Sequence, residues 1–211
     1  MARILITSGP TRQFLDPVRY LTNASSGRMG CALAEAALTQ GHEVVIVSGP
    51  VGLDYPEAAS IVPVLTTDEM LAAAQECFPT CDGMIAAAAP CDYRPRKVQT
   101  EKISKSGEPL QLELVETSDI VATVAENKRP GQWIVGFALE SEDQRFRAIV
   151  KMQKKCCDMM VSNGPSAIDS QSNSVEILRA DGETIAFAEG SKSDVASRIL
   201  SAIQKEILTK S

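Results

Sequence analysis

Short apolar runs alternate with segments of helical spacing along the chain, beginning with the strand-like run ARILIT at residues 2–7. Further apolar runs predict strands at 43–48, 60–65, 82–88, 110–115, 132–138 and 158–162. Helical spacing and end signals predict helices at 26–40, where Gly41 ends the helix, and at 67–78, from Thr117 or Ser118 to Asn127, at 142–155 and at 191–208. Because strands and helices alternate, and strand 43–48 is apolar on both faces, we expect an α/β fold. It is a Rossmann-like, doubly wound, mostly parallel sheet with helices on both faces.

The last part of the chain departs from this alternation. Residues 174–179 and 184–188 flank Ala180-Asp181-Gly182, and Asp-Gly favours a tight turn, so the pattern predicts a C-terminal β-hairpin. The hairpin either extends the sheet in antiparallel fashion or forms a dimer interface. The sequence contains no internal repeat or linker, which predicts one domain over residues 1–211.

Composition and charge narrow the class of protein. The chain is 44% hydrophobic and 23% charged, which excludes a disordered or fibrous protein. Aromatic residues are only 4% and the net charge is −6, so the composition does not favour a nucleic-acid partner. The sequence has no apolar run long enough to cross a membrane, and its N-terminus resembles a strand more than a signal peptide. We therefore expect a cytoplasmic protein.

Histidine and cysteine set limits on the chemistry. His42 is the only histidine, which excludes a three-histidine metal site and the HExxH motif. The six cysteines do not repeat a zinc-ligand spacing, and in the cytosol we expect them to be reduced structural thiols. Chemistry in this chain therefore depends on lysine, arginine, aspartate, asparagine, backbone amides and a bound metal ion.

The junction between the first strand and the first helix, from Ser8 to Gly30, is the first candidate site. Its small residues lead into a helix N-terminus, whose free N–H groups favour an anion, although neither G-x-G-x-x-G nor Walker A is present. An ordinary capped helix with a glycine against the sheet is the alternative. Arg12 and Arg19 suit a phosphate ligand, or pair locally with Asp16.

Two basic segments follow. The loop at 90–109, after an alanine run, either folds over a polyphosphate or stays a solvated basic loop. The other segment contains Lys151, Lys154 and Lys155. Lys151 and Lys155 lie four residues apart on a predicted helix, so both can contact one ligand or face solvent.

The segment ILITSGPTRQFLDPVRYLTNASSGRMG at residues 4–30, with its continuation to Val51, resembles the phosphopantothenoylcysteine synthetase family. The resemblance covers nearly the whole chain and continues through Cys91–Arg94, Glu101–Ile103, Ser118–Ala122, Ile134–Ala138 and Lys151–Asn163.

The resemblance implies a ligase of coenzyme A biosynthesis. The carboxylate of 4′-phosphopantothenate attacks the α-phosphate of CTP, with ATP as the alternative, and forms an acyl-cytidylate and pyrophosphate. The amine of L-cysteine then forms 4′-phosphopantothenoylcysteine and releases CMP. Mg²⁺ and a homodimer are also implied. In many bacteria a flavin-dependent decarboxylase precedes this domain, so a chain beginning at the first strand predicts a free-standing synthetase that works with a separately encoded decarboxylase.

The resemblance also assigns roles to residues. Asn23 and Lys102 are expected to be catalytic, and Arg19 and Asn23 to bind the acid substrate. The expected nucleotide-binding residues are Ser25, Ser26, Gly27, Met29, Gly30, Ala86, Ala87, Ala88, Asp92, Lys102, Ser118, Asp119, Ile120, Val121, Phe137, Lys151 and Lys155.

The sequence departs from the family pattern at Arg28, Cys91, Ser104 and Gly164. The lysine missing at Ser104 and the glycine at Gly164 bear most on residue roles near Lys102 and Asn163. Two other classes share the fold: a nicotinamide-dependent reductase, for which only Tyr93 and Lys97 have Tyr-x-x-x-Lys spacing, and a non-catalytic nucleotide-binding regulator.

Overall fold

The computed structural model describes residues 1–139, 143–163 and 172–209. Its strands are β1 (Arg3–Ser8), β2 (Arg12–Phe14), β3 (Tyr20–Thr22), β4 (Glu43–Ser48), β5 (Ser60–Pro63), β6 (Gly83–Ala86), β7 (Tyr93–Pro95), β8 (Leu114–Glu116), β9 (Trp133–Leu139), β10 (Met159–Asn163), β11 (Ser172–Arg179) and β12 (Thr184–Ser191). Its helices are α1 (Arg28–Thr39), α2 (Thr67–Cys77), α3 (Ile120–Ala125), α4 (Gln144–Lys154) and α5 (Lys192–Ile203). A 3₁₀ turn follows α2, and a π turn at Gln204–Leu208 follows α5.

Eight of these strands form the central sheet, in the order β12-β11-β10-β9-β6-β1-β4-β5. The strands from β10 to β5 are parallel, and β1 lies between β4 and β6 with Ile6 opposite both Ile46 and Ile85. Such central strands are buried on both faces, which explains their continuous apolar runs. The predicted doubly wound, mostly parallel sheet is confirmed.

Helices cover both faces of the sheet. One apolar cluster joins the sheet to α1 and α5, with Leu33 and Ile199 fully buried. The other joins it to α2, α3 and α4, with Met70, Val124 and Met152 in its centre. No helix within the described ranges has both the length and the apolarity needed to cross a bilayer.

The C-terminal hairpin extends the sheet. β11 pairs in antiparallel fashion with β10, Leu178 opposite Met160, and with β12 on its other side. Gly182 adopts φ +83° in the connecting turn, a conformation that favours glycine. Of the two predicted placements, the antiparallel extension is confirmed.

Two predictions about the loops were wrong. Residues 110–113 are not a strand: pairing begins at β8, which forms a separate two-stranded sheet with β7 and leaves Leu110 and Leu112 exposed. The alternating apolar residues at 110–115 belong mostly to an exposed segment, and not to the face of a sheet. The polar stretch after β1 contains the hairpin β2–β3, whose three-residue strands are too short for a periodic signal.

Several element ends also differ from prediction. α1 begins at Arg28, since Gly27 has φ +76° and cannot continue the helix backward. α3 is capped by Asp119, whose carboxylate accepts from the backbone N–H of Ala122, and not by Thr117 or Ser118. The predicted start of α4 at 142 and the sequence departure at 164 lie outside the described residues.

Candidate active site

The candidate site lies at the carboxyl edge of the parallel strands. The chain runs from β1 outward to β4 and β5, then returns to the other side of β1 at β6. The point between β1 and β6 is therefore where the strand order reverses, and ligands of open α/β sheets bind in this crevice. Thr7 and Ala86, the partners at this edge, pair in register, and a bridge between Pro10 and Ala89 extends the pairing.

A cleft of about 320 Å³ opens above this crevice. Ten of the predicted nucleotide-binding residues line it: Ala86, Ala88, Asp92, Ser118, Asp119, Ile120, Val121, Phe137, Lys151 and Lys155. They come from the ends of β6 and β9, from the N-terminus of α3 and from the last turns of α4. Ala87, the remaining alanine of the predicted set, does not line the cleft, because its N–H bonds to the carbonyl of Thr7 and its side chain packs on the core.

We call this cleft the nucleotide cleft, after the predicted residues that line it. Positive charge along one of its walls suits an anion. Lys151, Lys154 and Lys155 all line it. Lys155 forms a 3.0 Å ion pair with Asp119, whose carboxylate caps α3. Burial alone would raise the pKa of Asp119, but hydrogen bonds from Ala122 and Lys155 lower it, so Asp119 stays ionised and holds Lys155 at the wall. Lys154 belongs to the lysine run that the sequence offered as a candidate, although the resemblance gave it no role.

A second, shallower cleft of about 270 Å³ lies beside the start of α1. Its lining includes the predicted residues Asn23, Ser25 and Ser26 together with Arg12 and Tyr20. The arginine guanidinium lies 4.5 Å from the centre of the tyrosine ring, which orients it by a cation–π contact. We call this the Asn23 cleft.

Three predicted residues of the α1 N-terminus, Gly27, Met29 and Gly30, do not line either cleft. Gly27 supplies the left-handed turn that starts the helix, and Met29 packs on the core. A Cβ at Gly30 would lie 2.1 Å from the Ser8 hydroxyl, so this glycine lets α1 approach β1 closely. Their predicted contact with phosphate stays a prediction, available only through backbone N–H groups.

Arg19 does not lie in the Asn23 cleft. Its guanidinium pairs with Asp16 at 2.6 Å and donates to the carbonyl of Ile103. The local Asp16–Arg19 pair, one of the two alternatives from the sequence, is therefore present. Of the two arginines that the sequence offered as phosphate ligands, Arg12 lines the cleft, whereas the resemblance assigned substrate binding to Arg19.

Asn23 connects the two clefts. Its side-chain amide donates to the carbonyl oxygens of Ala89, at 3.2 Å, and of Pro90, at 2.9 Å. Pro90 lines the nucleotide cleft, whereas Asn23 lines its own cleft. Pro90 and Cys91 line the nucleotide cleft, so the Asn23 side chain links its own cleft to a wall of the other.

Lys102 lies on an exposed arm, residues 96–113, outside the nucleotide cleft. It lines a groove on that arm with Ile103 and Leu110. Ser104, next along the arm, is also exposed. The structure therefore does not bring Lys102 into contact with the other predicted nucleotide residues, and its role stays a prediction.

The carboxylates near the cleft show whether the implied Mg²⁺ could be held there. The described ranges contain no group of three His, Cys, Asp or Glu side chains arranged for a metal ion. Asp92, Glu116 and Asp119 do line the nucleotide cleft. This set fits a Mg²⁺ ion bound mostly by phosphate oxygens and water with one or two carboxylates, which is its usual coordination beside nucleotides.

A reductase site is not formed by Tyr93 and Lys97. Tyr93–Pro95 is a strand, so the two residues do not share a helix face, and Lys97 does not line the nucleotide cleft.

An open α/β sheet with a lysine-lined cleft at its switch point is typical of nucleotide-binding domains. Residues 1–207 match the family described as DNA/pantothenate metabolism flavoprotein C-terminal domain, and the chain belongs to this family.

Two similar proteins support this assignment. The Coenzyme A biosynthesis bifunctional protein CoaBC of Bacillus subtilis is 38% identical over 205 residues, covering 95% of this chain and 50% of that protein. The chain thus spans about half the length of the curated relatives it matches. The crystal structure of the C-terminal domain of a CoaBC protein is 38% identical, with a TM-score of 0.83 over 99% of this chain and 96% of that one.

A more distant solved structure shares the fold. A Cab2 mutant in complex with phosphopantothenate-cysteine has a TM-score of 0.81 at 15% identity, covering 99% of this chain and 88% of that chain. At this identity the similarity shows the fold alone.

Proposed function

We propose that this chain ligates 4′-phosphopantothenate and L-cysteine in coenzyme A biosynthesis, with CTP as the activating nucleotide. The observation that carries the proposal is the gathering of ten predicted nucleotide residues in one cleft with a lysine-lined wall, next to carbonyls bound by Asn23. The names of the relatives, coenzyme A biosynthesis proteins, support the same activity.

In the first half of the reaction, the substrate carboxylate attacks the α-phosphate. A new bond joins the carboxylate oxygen to phosphorus, the bond to the β-phosphate oxygen breaks, and pyrophosphate leaves. Lys151, Lys154 and Lys155 neutralise the triphosphate, which lowers the repulsion between the two anions. The resemblance implies that Lys102, which lies outside the cleft on its exposed arm, supplies a further positive charge to the acyl phosphate.

In the second half, the neutral amine of cysteine attacks the acyl carbon. The amide bond forms, the bond from carbon to the phosphate oxygen breaks, and CMP leaves while the ammonium proton passes to solvent. The Asn23 amide is fixed by its two N–H donors on the carbonyls of Ala89 and Pro90, so its side-chain oxygen is left to accept from the attacking amine and orient it. No protein nucleophile is needed, which agrees with the single histidine, buried at the far end of β4 from the site.

Mg²⁺ bound to the triphosphate supplies charge neutralisation and makes pyrophosphate a better leaving group. Asp92 and Glu116 are the exposed cleft carboxylates available to hold it.

We also propose a homodimer and a decarboxylase partner. The arm exposes Val98, Leu110 and Leu112, an apolar surface that a second copy covers well. The relatives are called bifunctional and are twice as long, which agrees with a second activity supplied outside the matched region. Sedimentation equilibrium tests the dimer: a purely monomeric species at assay concentration overturns it.

The activity is tested by pyrophosphate release with 4′-phosphopantothenate and Mg²⁺, comparing CTP and ATP, first without and then with L-cysteine. We expect release with CTP, followed by cysteine-dependent amide and CMP. If ATP is preferred, the proposed nucleotide is wrong but the proposed ligase activity stands. Nucleotide binding without release from either nucleotide overturns the ligase and favours the regulator.

A further inference from the structure

A closed ring of hydrogen bonds holds Cys91, which lines the nucleotide cleft directly after the carbonyls that bind Asn23. The backbone N–H of Cys91 donates to the Thr11 hydroxyl at 2.8 Å. The hydroxyls of Thr11 and Thr67 lie 2.8 Å apart, and the Thr67 hydroxyl donates to the Cys91 carbonyl at 3.2 Å. Since Thr67 gives its proton to that carbonyl, Thr11 must donate to Thr67. Each hydroxyl in the ring therefore donates once and accepts once.

The ring is protected from water. Thr11 is 0% exposed and Thr67 1% exposed, and Thr117 adds a second donor, at 2.7 Å, to the Cys91 carbonyl. Hydrogen bonds in such surroundings are strong, and a broken one leaves a buried polar group unpaired. The ring and the added Thr117 bond join the β1–β2 loop, the start of α2 and the segment after β8 to one residue, Cys91.

The two residues before Cys91 position Asn23. The Asn23 side chain bonds to Ala89 and Pro90, immediately before Cys91. The backbone N–H of Asn23 also faces the Cys91 sulfur, and burial raises the pKa of that thiol, so the thiol stays neutral. The location of Asn23 therefore depends on where the ring holds residues 89–91.

We propose that Thr11 and Thr67 are positioning residues for Asn23 and so control the second half of the reaction. This inference rests on the proposed ligase function. Thr67 also lines the nucleotide cleft, but Thr11 lines neither cleft. An effect shared by variants at both positions must therefore pass through the ring.

The test compares Thr11→Val, Thr67→Val and the double variant, each with nearly unchanged side-chain volume, in the full chain. Amide formed per pyrophosphate released is measured with CTP, 4′-phosphopantothenate and L-cysteine. We expect Thr11→Val, whose side chain lines neither cleft, to keep pyrophosphate release within about twofold of the natural chain. We expect all three variants to lower the amide ratio about tenfold, because misplacement of an orienting group lowers rate strongly. The double variant should be no worse than the singles, since either change opens the same ring.

Thr67→Ser keeps the hydroxyl and is expected to restore the ratio. Thr39→Val is the control, because the Thr39 hydroxyl also donates to a backbone carbonyl, that of Glu35, but on the exposed end of α1. Should a valine variant fail to fold, Thr67→Ala removes the same hydroxyl with less steric demand. An unchanged amide ratio in folded variants, or a serine variant as poor as valine, overturns the proposal.

Amide hydrogen exchange separates this proposal from the ligase function. In the unliganded protein, Thr67→Val should speed exchange at the N–H groups of Cys91 and Asn23, and Thr67→Ser should restore it. If the natural chain releases no pyrophosphate, the ligase function fails, but exchange still decides whether the ring holds Asn23. Unchanged exchange at Asn23 overturns the positioning role.

Discussion

The Asp16 carboxylate and the Arg19 guanidinium form a 2.6 Å ion pair whose two members both bind the backbone of Ile103. Asp16 accepts from the Ile103 N–H at 3.1 Å, and Arg19 donates to its carbonyl at 2.6 Å. Ile103 directly follows Lys102, so this pair fixes the base of the arm next to the predicted catalytic lysine. Arg19 thus acts on the arm, whereas Arg12 faces the Asn23 cleft.

The first prediction concerns the pH dependence of stability. Burial alone would raise the pKa of Asp16, but hydrogen bonds from Val18, Arg19 and Ile103 outweigh it and hold the pKa well below its usual range. A carboxyl with a lowered folded pKa stabilises the fold fully above its unfolded pKa of about 3.9 and loses that contribution as pH falls further. We expect Asp16→Asn to unfold at lower urea than the natural chain at neutral pH, and the difference to shrink below about pH 4.

Urea unfolding across this pH range measures the effect. Glu108→Gln, at an exposed carboxylate of the arm, is the control and should follow the natural chain. A difference that grows as pH falls would contradict the assignment.

The second prediction concerns Lys102. Because this side chain is exposed, Lys102→Ala should leave the thermal midpoint unchanged but lower pyrophosphate release about a hundredfold, the usual effect of losing one charge-stabilising group. Lys105→Ala, on the same exposed arm, is the matched control and should keep most of the rate. Equal loss in both variants would indicate a general effect of charge and remove Lys102 from the mechanism.

The third prediction separates the two halves of the reaction at Asn23. Asn23→Asp removes the donors to Ala89 and Pro90 and places a negative charge beside the acyl phosphate. Pyrophosphate release should continue, and amide formation should fall by about two orders of magnitude. Asn127→Asp, exposed after α3, is the control. Amide formation at the natural rate would exclude Asn23 from the second half.

The fourth prediction concerns the contact between α1 and β1. A methyl group at Gly30 would lie 2.1 Å from the Ser8 hydroxyl oxygen and 2.5 Å from its Cβ, so Gly30→Ala must push the helix away from the strand. We expect the free energy of unfolding to fall by about 1–3 kcal/mol, the usual cost of overpacking. Gly52→Ala is the control, because its added Cβ meets open space. Equal stability of the two variants in urea would contradict the close approach.

Patterns of neighbouring residues were sufficient for the sheet. The apolar run of β4 and the Asp-Gly turn of the hairpin each encode a local conformation, so these elements were predictable. The arm was not, because the alternation at 110–115 has the period of a strand while its apolar side chains remain exposed.

The sequence predicted those site residues that lie in recognisable strands and helices. Ala86, Phe137 and Lys151 belong to different elements, and the fold places all three in one cleft. The choice between Arg12 and Arg19 was not predictable, because it depends on Ile103, which is 84 residues from Arg19 along the chain. The threonine ring likewise joins distant segments, so no local spacing reveals it.

The acyl-nucleotide is the central claim, and the fate of the substrate carboxylate oxygens tests it most directly. 4′-Phosphopantothenate carrying ¹⁸O in its carboxylate is converted with CTP and L-cysteine, and the products are analysed by mass spectrometry. We predict one ¹⁸O atom in the phosphate of CMP for each amide formed, because the carboxylate oxygen that attacks the α-phosphate leaves with it. Label in pyrophosphate or inorganic phosphate, with none in CMP, would contradict attack at the α-phosphate.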